Sequence, residues 1–439
     1  MVLSAGISFH PLRIPPYLLP DTAAVDPASG HLSVGGVDLL DLASRFGTPL
    51  FVYDEAHLRE RCRQAVAAWG DGVAYGSKAF LCVAMARLAH EEGMWIDVAT
   101  GGELHVVLAA GVPAGRVVMH GNNKSSEELR AAVEAGIGRI VVDSFDEIDR
   151  LEALAAAPGW RPPQVLVRVT PGIEAHTHEY VMTGQADSKF GFGLAGGRAA
   201  EAVRRLSRSA AVQLVGIHAH IGSQIFLTES FRREVEVLAG FFRPLDLPEL
   251  CVGGGLGVAY VAEESAPSLG QWAEVVKAAC AEFGIPASTR VTAEPGRSIV
   301  AAAGMTLYRV GTIKDIPGVR TYVAVDGGMS DNPRPVLYGS GYETFLARCP
   351  EDERARTVTV VGKHCESGDF IVRNAHVPAD VAVDDILVTP VTGAYGHSMA
   401  SNYNKVTRPA VVFVAGGTAR LVVRRETPDD LLRLEVLDQ

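Results

Sequence analysis

No stretch of this chain reaches the roughly 18 uninterrupted apolar residues that a membrane span requires. No basic-then-apolar leader opens it either; the first twenty residues are instead proline-rich (Pro11, Pro15, Pro16, Pro20). Basic residues are in deficit. Lys and Arg number 40 against 51 Asp and Glu, a net charge of −11, and neither a basic block nor an aromatic-rich basic stripe occurs, which argues against a nucleic-acid binder. The six cysteines (Cys62, Cys82, Cys251, Cys280, Cys349, Cys365) show no paired spacing, so neither a disulfide framework nor a zinc ribbon is suggested. Internal repeats and low-complexity linkers are also missing. The expectation is a reduced, cytoplasmic protein. What is present is ordinary globular composition, 48% hydrophobic and 21% charged over 439 residues, room for two domains or for a large barrel with an appended one.

One unit recurs: a short apolar strand, a loop, then a helical pattern. The strands fall near 73–77, 95–98, 116–119, 140–142, 165–169, 214–218, 250–253 and 291–294. Eight such units over about 240 residues predict a (β/α)8, TIM-like barrel. An open doubly wound sheet would need a dinucleotide fingerprint after its first strand, and Tyr75-Gly-Ser-Lys78 is not one. Beyond about residue 300 the runs are strand-like without intervening helices, which predicts an all-β C-terminal domain of sandwich or barrel type. The expected division is 1–47 as a segment packing with the β-domain, 48–300 as the barrel and 301–439 as the β-domain.

In such a barrel the reactive residues sit at the C-terminal ends of the strands. The first strand ends in Lys78, the second in Asp97, the sixth in His218-Ala-His220-Ile-Gly-Ser223, the seventh in Gly253-Gly-Gly255 and the eighth in Glu294-Pro-Gly-Arg297. A lysine ending a buried strand is costly as a cation, and a depressed amine is what an imine-forming nucleophile needs; the plainer reading is a lysine that snorkels past the strand end into solvent. The glycine run reads equally as a tight strand-to-helix turn or as a loop whose backbone N–H groups approach an anion, to which Ser223 could add a hydroxyl. His218 and His220 point to one side of a strand and could reach one metal ion. The later strands, however, supply glycines, a carboxylate and an arginine rather than more histidines, so no metal is expected and the pair reads as core or stacking. A phosphate cradle with a lysine points to pyridoxal 5′-phosphate.

These strings resemble the fold-type III pyridoxal-phosphate-dependent decarboxylases, most closely the diaminopimelate decarboxylase branch, from about residue 47 to 436. The resemblance is carried by Tyr75-Gly-Ser-Lys78, Asp97-Val-Ala-Thr-Gly-Gly-Glu103, His176-Thr-His-Glu-Tyr180, Asp187-Ser-Lys-Phe-Gly-Phe192 and His220-Ile-Gly-Ser-Gln224. It continues through Gly253-Gly-Gly255, Glu294-Pro-Gly-Arg297, Asp326-Gly-Gly-Met329, Cys365-Glu-Ser-Gly-Asp369 and the run from Gly393 to Asn404. It implies that Lys78 is the Schiff-base lysine and that Glu294 faces the pyridine nitrogen. His220 would stack on the ring near Asp97, with Ser223, Gly254, Gly255, Gly296 and Arg297 around the phosphate. Arg297, Arg334 and Tyr338 would hold the carboxylate at the substrate's non-reacting end, Glu366 its ammonium, and Tyr395 would touch both cofactor and substrate. Cys365 would reprotonate the carbanion, on a loop that reaches the neighbouring subunit's site in a homodimer. The implied reaction is decarboxylation of meso-2,6-diaminopimelate to L-lysine and CO2, the last step of lysine synthesis. A decarboxylase of another basic amino acid is the alternative.

Departures from the family pattern are minor: Gly76-Ser77 before the lysine, Pro333 before Arg334, and His397 after Gly396. Without the resemblance, Arg334 reads as a surface residue and Cys365 as a packing cysteine. The stretch 176–192 after the fifth strand reads as a lid or a plain loop.

Overall fold

The computed structural model describes residues 14–173 and 187–436, in two units. The motif at His176–Tyr180 lies outside the described residues, as does most of the stretch anticipated as a lid or loop.

One unit, 58–258 with 265–300, is the barrel. Its strands Ala74–Gly76, Trp95–Val98, Val117–Met119, Arg139–Val142, Gln164–Thr170, Gln213–His218, Glu249–Cys251 and Arg290–Thr292 run parallel and pair in chain order. Each of the eight lies within two residues of its expected ends. Two backbone bonds join the last strand's end to the first strand: Ala74 N–H donates to Ala293 C=O and Gly76 N–H to Pro295 C=O, both at 3.0 Å. Pairing thus runs right round and leaves no sheet edge for other chains to template. Side chains alternate along each strand, so one residue from each of the first seven meets inside: Ala74, Trp95, Val118, Val141, Leu166, Val215 and Cys251 form one buried layer.

Four of the barrel helices start at a side-chain cap. Thr100, Ser125, Ser144 and Ser268 each accept from the backbone N–H three residues on, and Ser125 and Ser268 complete reciprocal capping boxes with Glu128 and Gln271. Each cap contributes about 1 kcal/mol. Arg198–Leu206 buries Ala199, Ala202, Val203 and Leu206, the spacing of a one-sided helix against the strands.

At the opposite end of the strands, Trp95 is ringed by guanidinium groups. Arg116, Arg139 and Arg290 stand 5.9, 5.6 and 5.6 Å from its ring centre. Glu249 accepts from Arg139 at 3.0 Å and also from Arg290, so the cations are held by charge as well as by the ring.

The other unit holds the described residues up to His57, 259–264 and from 301 onward. Its main sheet orders Phe370–Val377, Arg356–Val361, Arg320–Val325, Gly304–Ile316, Leu50–Asp54, Ala410–Ala415 and Thr418–Val423, with Ile386–Pro390 also paired to Gly304–Ile316 and Phe345–Leu346 to Ile386–Pro390. Here the expected boundary at residue 48 is corrected. Leu50–Asp54 is no barrel strand; it lies between Gly304–Ile316 and Ala410–Ala415 with all five residues buried. An apolar strand buried on both faces reads the same in sequence whichever sheet takes it. Among the described residues no helix is long and apolar enough to cross a membrane.

Candidate active site

The rim of the barrel is built from residues that leave the strands at their C-terminal ends. Lys78 sits in a single 3-10 turn, Ser77–Ala79, which Tyr75 closes by donating its hydroxyl to the Phe80 carbonyl at 2.6 Å. The strand before it is buried, but Lys78 itself is exposed. Of the two readings of this lysine, the one that passes the strand end into solvent is what the turn realises: it carries the side chain out of the core while its neighbours Gly76 and Ser77 stay in.

Glu294 is the best-anchored group on the rim. Its side chain is 8% exposed. Its Oε1 lies 2.8 Å from His120 Nε2 and its Oε2 2.9 Å from His218 Nε2. Burial pushes this carboxyl up, but His120 and His218 outweigh it and hold it well below the usual range. Asp97 lies 3.7 Å from the same His120 nitrogen. Burial dominates there and raises its pKa to about 6, against the pull of His120. Burial likewise lowers His218 to about 4; for His120 the charges of Asp97 and Glu294 overcome burial and raise it. The two imidazoles meet edge to face at 4.8 Å.

His220 takes a different partner from His218. Gly254 N–H donates to its Nδ1 at 3.2 Å, so that nitrogen is an unprotonated acceptor. Burial first, then the charge of Lys78, pushes its pKa well down. The two histidines read as a possible metal pair thus serve separate ends. Three potential ligand atoms do lie within 4.8 Å of one another, on His120, His218 and Glu294. Both histidine nitrogens are engaged in direct hydrogen bonds to the Glu294 carboxylate.

The glycine loop is tight. A side chain at Gly254 would sit 2.3 Å from the Glu294 carbonyl oxygen, and one at Gly255, where φ is +111°, 2.2 Å from that of Gly222. Only glycine admits this approach. Nearby, Arg297 opens the short helix Arg297–Val300 directly after Gly296 and donates to Ser223 Oγ at 2.9 Å. Ser77 Oγ and Ser298 Oγ are buried with no partner among the described residues.

Two further groups escaped the sequence reading. His120 directly follows the third strand, where the strand-end rule points. Arg168 lies inside the fifth strand, 8% exposed, 3.8 Å from Asp143 and 4.4 Å over the Phe190 ring. Asp143 also accepts from Gly191 N–H at 3.0 Å, so this pair anchors the Asp187–Phe192 motif.

In the other unit, Arg334 is buried at 5% exposure and not a surface residue. It donates to the Tyr342 hydroxyl at 2.6 Å and lies 4.0 Å over the Tyr260 ring. Burial works against its charge, but Tyr260, Tyr342 and Tyr395 raise its pKa overall. Tyr338 closes the same short helix, Arg334–Tyr338, half-buried. Tyr395 is half-buried with φ at +60°. Cys365 is exposed rather than packed, as is Glu366 beside it, which accepts from Tyr403. The base of that loop is tied down. Asp369 accepts from Met329 N–H at 2.7 Å and His364 N–H at 2.9 Å, and the His364 ring contacts Ser330 Oγ at 2.8 Å and Asn404 Oδ1 at 3.0 Å.

A closed barrel whose rim joins a lysine, a close-approach glycine loop with Ser223 and Arg297, and an ionised carboxylate defines a pyridoxal-phosphate-binding barrel. The donors fit that cofactor in kind: amine for aldehyde, N–H and guanidinium for phosphate, carboxylate for ring nitrogen. Residues 55–301 match the family model of the pyridoxal-dependent decarboxylase pyridoxal-binding domain. Diaminopimelate decarboxylase of Bacillus subtilis is 48% identical, covering 93% of this chain and 95% of its own. That of Mycobacterium tuberculosis is 45% identical, covering 97% and 99%. The crystal structure of diaminopimelate decarboxylase from M. jannaschii in complex with L-lysine superposes with a TM-score of 0.88 at 30% identity, covering 95% of this chain and 98% of that one. The chain belongs to the diaminopimelate decarboxylase family of pyridoxal-dependent decarboxylases.

Proposed function

We propose that this chain removes CO2 from meso-2,6-diaminopimelate and releases L-lysine, the last step of lysine synthesis, as a cytoplasmic homodimer dependent on pyridoxal 5′-phosphate. The observation that carries the reading is Glu294, ionised and hydrogen-bonded through both oxygens. A carboxylate in that state keeps a pyridine nitrogen protonated. When bound, the cofactor supplies the conjugated ring that takes up the electron pair left at Cα as CO2 departs.

The chain's own residues do the rest. Lys78 gives the amine that holds the cofactor aldehyde and later exchanges with product. Gly254, Gly255, Gly296, Ser223 and Arg297 hold the phosphate. His220, neutral and pinned by Gly254, covers a ring face near Asp97. Arg334, with Tyr338 and Arg297, takes the far carboxylate; a guanidinium offers five donors in a planar fork, one of which the Tyr342 hydroxyl accepts. Glu366 takes the far ammonium, Tyr395 contacts cofactor and substrate, and Cys365 Sγ delivers the proton to Cα. Exposed Cys365 and Glu366 on a rigid base support presentation of this loop to a partner subunit.

The test is CO2 release by cofactor-loaded protein from meso-diaminopimelate, L-ornithine, L-arginine and L-lysine in parallel. Release from diaminopimelate alone, with L-lysine formed, is expected. Release only from another amino acid would keep the cofactor and Lys78 and overturn the substrate.

A further inference from the structure

His120 and His218 hold neither cofactor nor substrate in the function proposed above, yet both direct Nε2 at one carboxylate. We infer that His120 and His218 are positioning residues that clamp the two oxygens of Glu294 and so fix it as the acceptor for the cofactor's ring nitrogen. The inference rests on that proposed function and adds two residues to its machinery.

Three features support it. First, the clamp is symmetric: one imidazole per oxygen, at 2.8 and 2.9 Å. A carboxylate has about four lone-pair sites, so two donors leave acceptor capacity for a third. Secondly, the donor role of His218 follows from its surroundings. It is 1% exposed, and its Nδ1 has no partner among the described residues. A hydrogen on that nitrogen would be a buried, unsatisfied donor, so the proton sits on Nε2 and faces Glu294. Thirdly, His120 stands between two carboxylates, 2.8 Å from Glu294 and 3.7 Å from Asp97. Two close, buried carboxyls unseparated by a donor would share a proton, and a protonated Glu294 could not keep a pyridine nitrogen charged. Edge-to-face packing at 4.8 Å braces each ring against the other, so neither can swing away alone.

The deciding variants are His120→Leu and His218→Leu, which remove the donor, against His120→Gln and His218→Gln, which keep an N–H near the same place. The protein is loaded with pyridoxal phosphate labelled with 15N in the ring. The ring-nitrogen shift is read by NMR, attachment at Lys78 by mass after borohydride, and kcat and KM on diaminopimelate. The leucine variants are expected to attach cofactor but to move the ring nitrogen toward its unprotonated shift. Their kcat should fall about ten- to a hundredfold, the worth of a hydrogen bond to a charged group, with KM little changed. The glutamine variants should recover part of both. Leucine variants that keep the parent's ring-nitrogen shift and kcat, and lose only thermal stability, overturn the inference. If a leucine variant does not fold, the corresponding His120→Phe or His218→Phe variant, which keeps a ring and loses the donor, decides: its shift should move toward that of Glu294→Gln, and an unchanged shift overturns the clamp. A parent that releases no CO2 while its ring-nitrogen shift still follows the histidines would instead refute the proposed reaction and keep the clamp.

Discussion

Glu234 shows how far a single residue can depart from its neighbourhood. It lies on the buried stripe of Thr228–Phe242 with Phe231, Val235 and Leu238, fully buried. Neither carboxyl oxygen has a partner among the described residues, and burial alone pushes its pKa well up. In the unfolded chain the same group ionises near the ordinary glutamate value of about 4.3. As pH rises through that value the unfolded state loses its proton first, so stability falls with pH until the folded pKa is passed. Glu234→Gln should therefore flatten the dependence of the unfolding midpoint between about pH 5 and pH 8. Glu234→Met should stabilise by about 1–3 kcal/mol at neutral pH, since it removes an unsatisfied buried polar group. Urea titrations at several pH values check both; a parent midpoint that is flat over that range contradicts the assignment. At the proposed substrate end, Arg334→Ala and Glu366→Gln should each raise KM for diaminopimelate by about tenfold or more, with a smaller effect on kcat. Steady-state kinetics reads the split.

Between elements, one buried ion pair ties a loop to a helix. Lys124 follows the third barrel strand, and its Nζ lies 3.0 Å from Glu147 Oε1 on Phe145–Leu154 while donating to the Gly121 and Val141 carbonyls at 2.6 and 2.9 Å. Both side chains are 1% exposed. Removing one partner strands a buried charge, so Glu147→Leu should cost about 3–5 kcal/mol. The double variant Lys124→Met with Glu147→Leu should recover most of that loss, because an apolar pair of similar volume carries no desolvation penalty. A double variant as unstable as the single, by urea unfolding, would show that the pair itself stabilises. The arginine ring around Trp95 marks the opposite end of the barrel, where a stabilising role is the ordinary one.

At the scale of the whole molecule, the proposed homodimer with shared sites has its own test. Lys78→Ala and Cys365→Ala preparations should each be nearly inactive. Mixed under conditions that let subunits exchange, they should regain about a quarter of parental activity, because half the dimers are mixed and each mixed dimer rebuilds one of two sites. No recovery, despite exchange shown by native mass spectrometry, would place Lys78 and Cys365 in the same subunit's site.

The sequence by itself determined the eight strand–helix units, since short apolar strand runs and the helical patterns that follow them are local signals. It also placed Lys78, Asp97, His220, the glycine loop, Glu294 and Arg297 on one rim, because the end of a barrel strand is legible once the strand is. Tertiary structure alone decided which sheet takes Leu50–Asp54, as burial on both faces leaves no periodicity to read. It alone paired Glu294 with His120 and His218, 174 and 76 residues away in the chain. Those contacts exist only because barrel closure brings the third, sixth and eighth strand ends together. A hydrogen bond between residues so far apart leaves no trace in local pattern. Lys78, carried past its strand by the 3-10 turn, is exposed, whereas the Glu294 side chain is buried: opposite fates for two charges that the sequence read as neighbours on one rim.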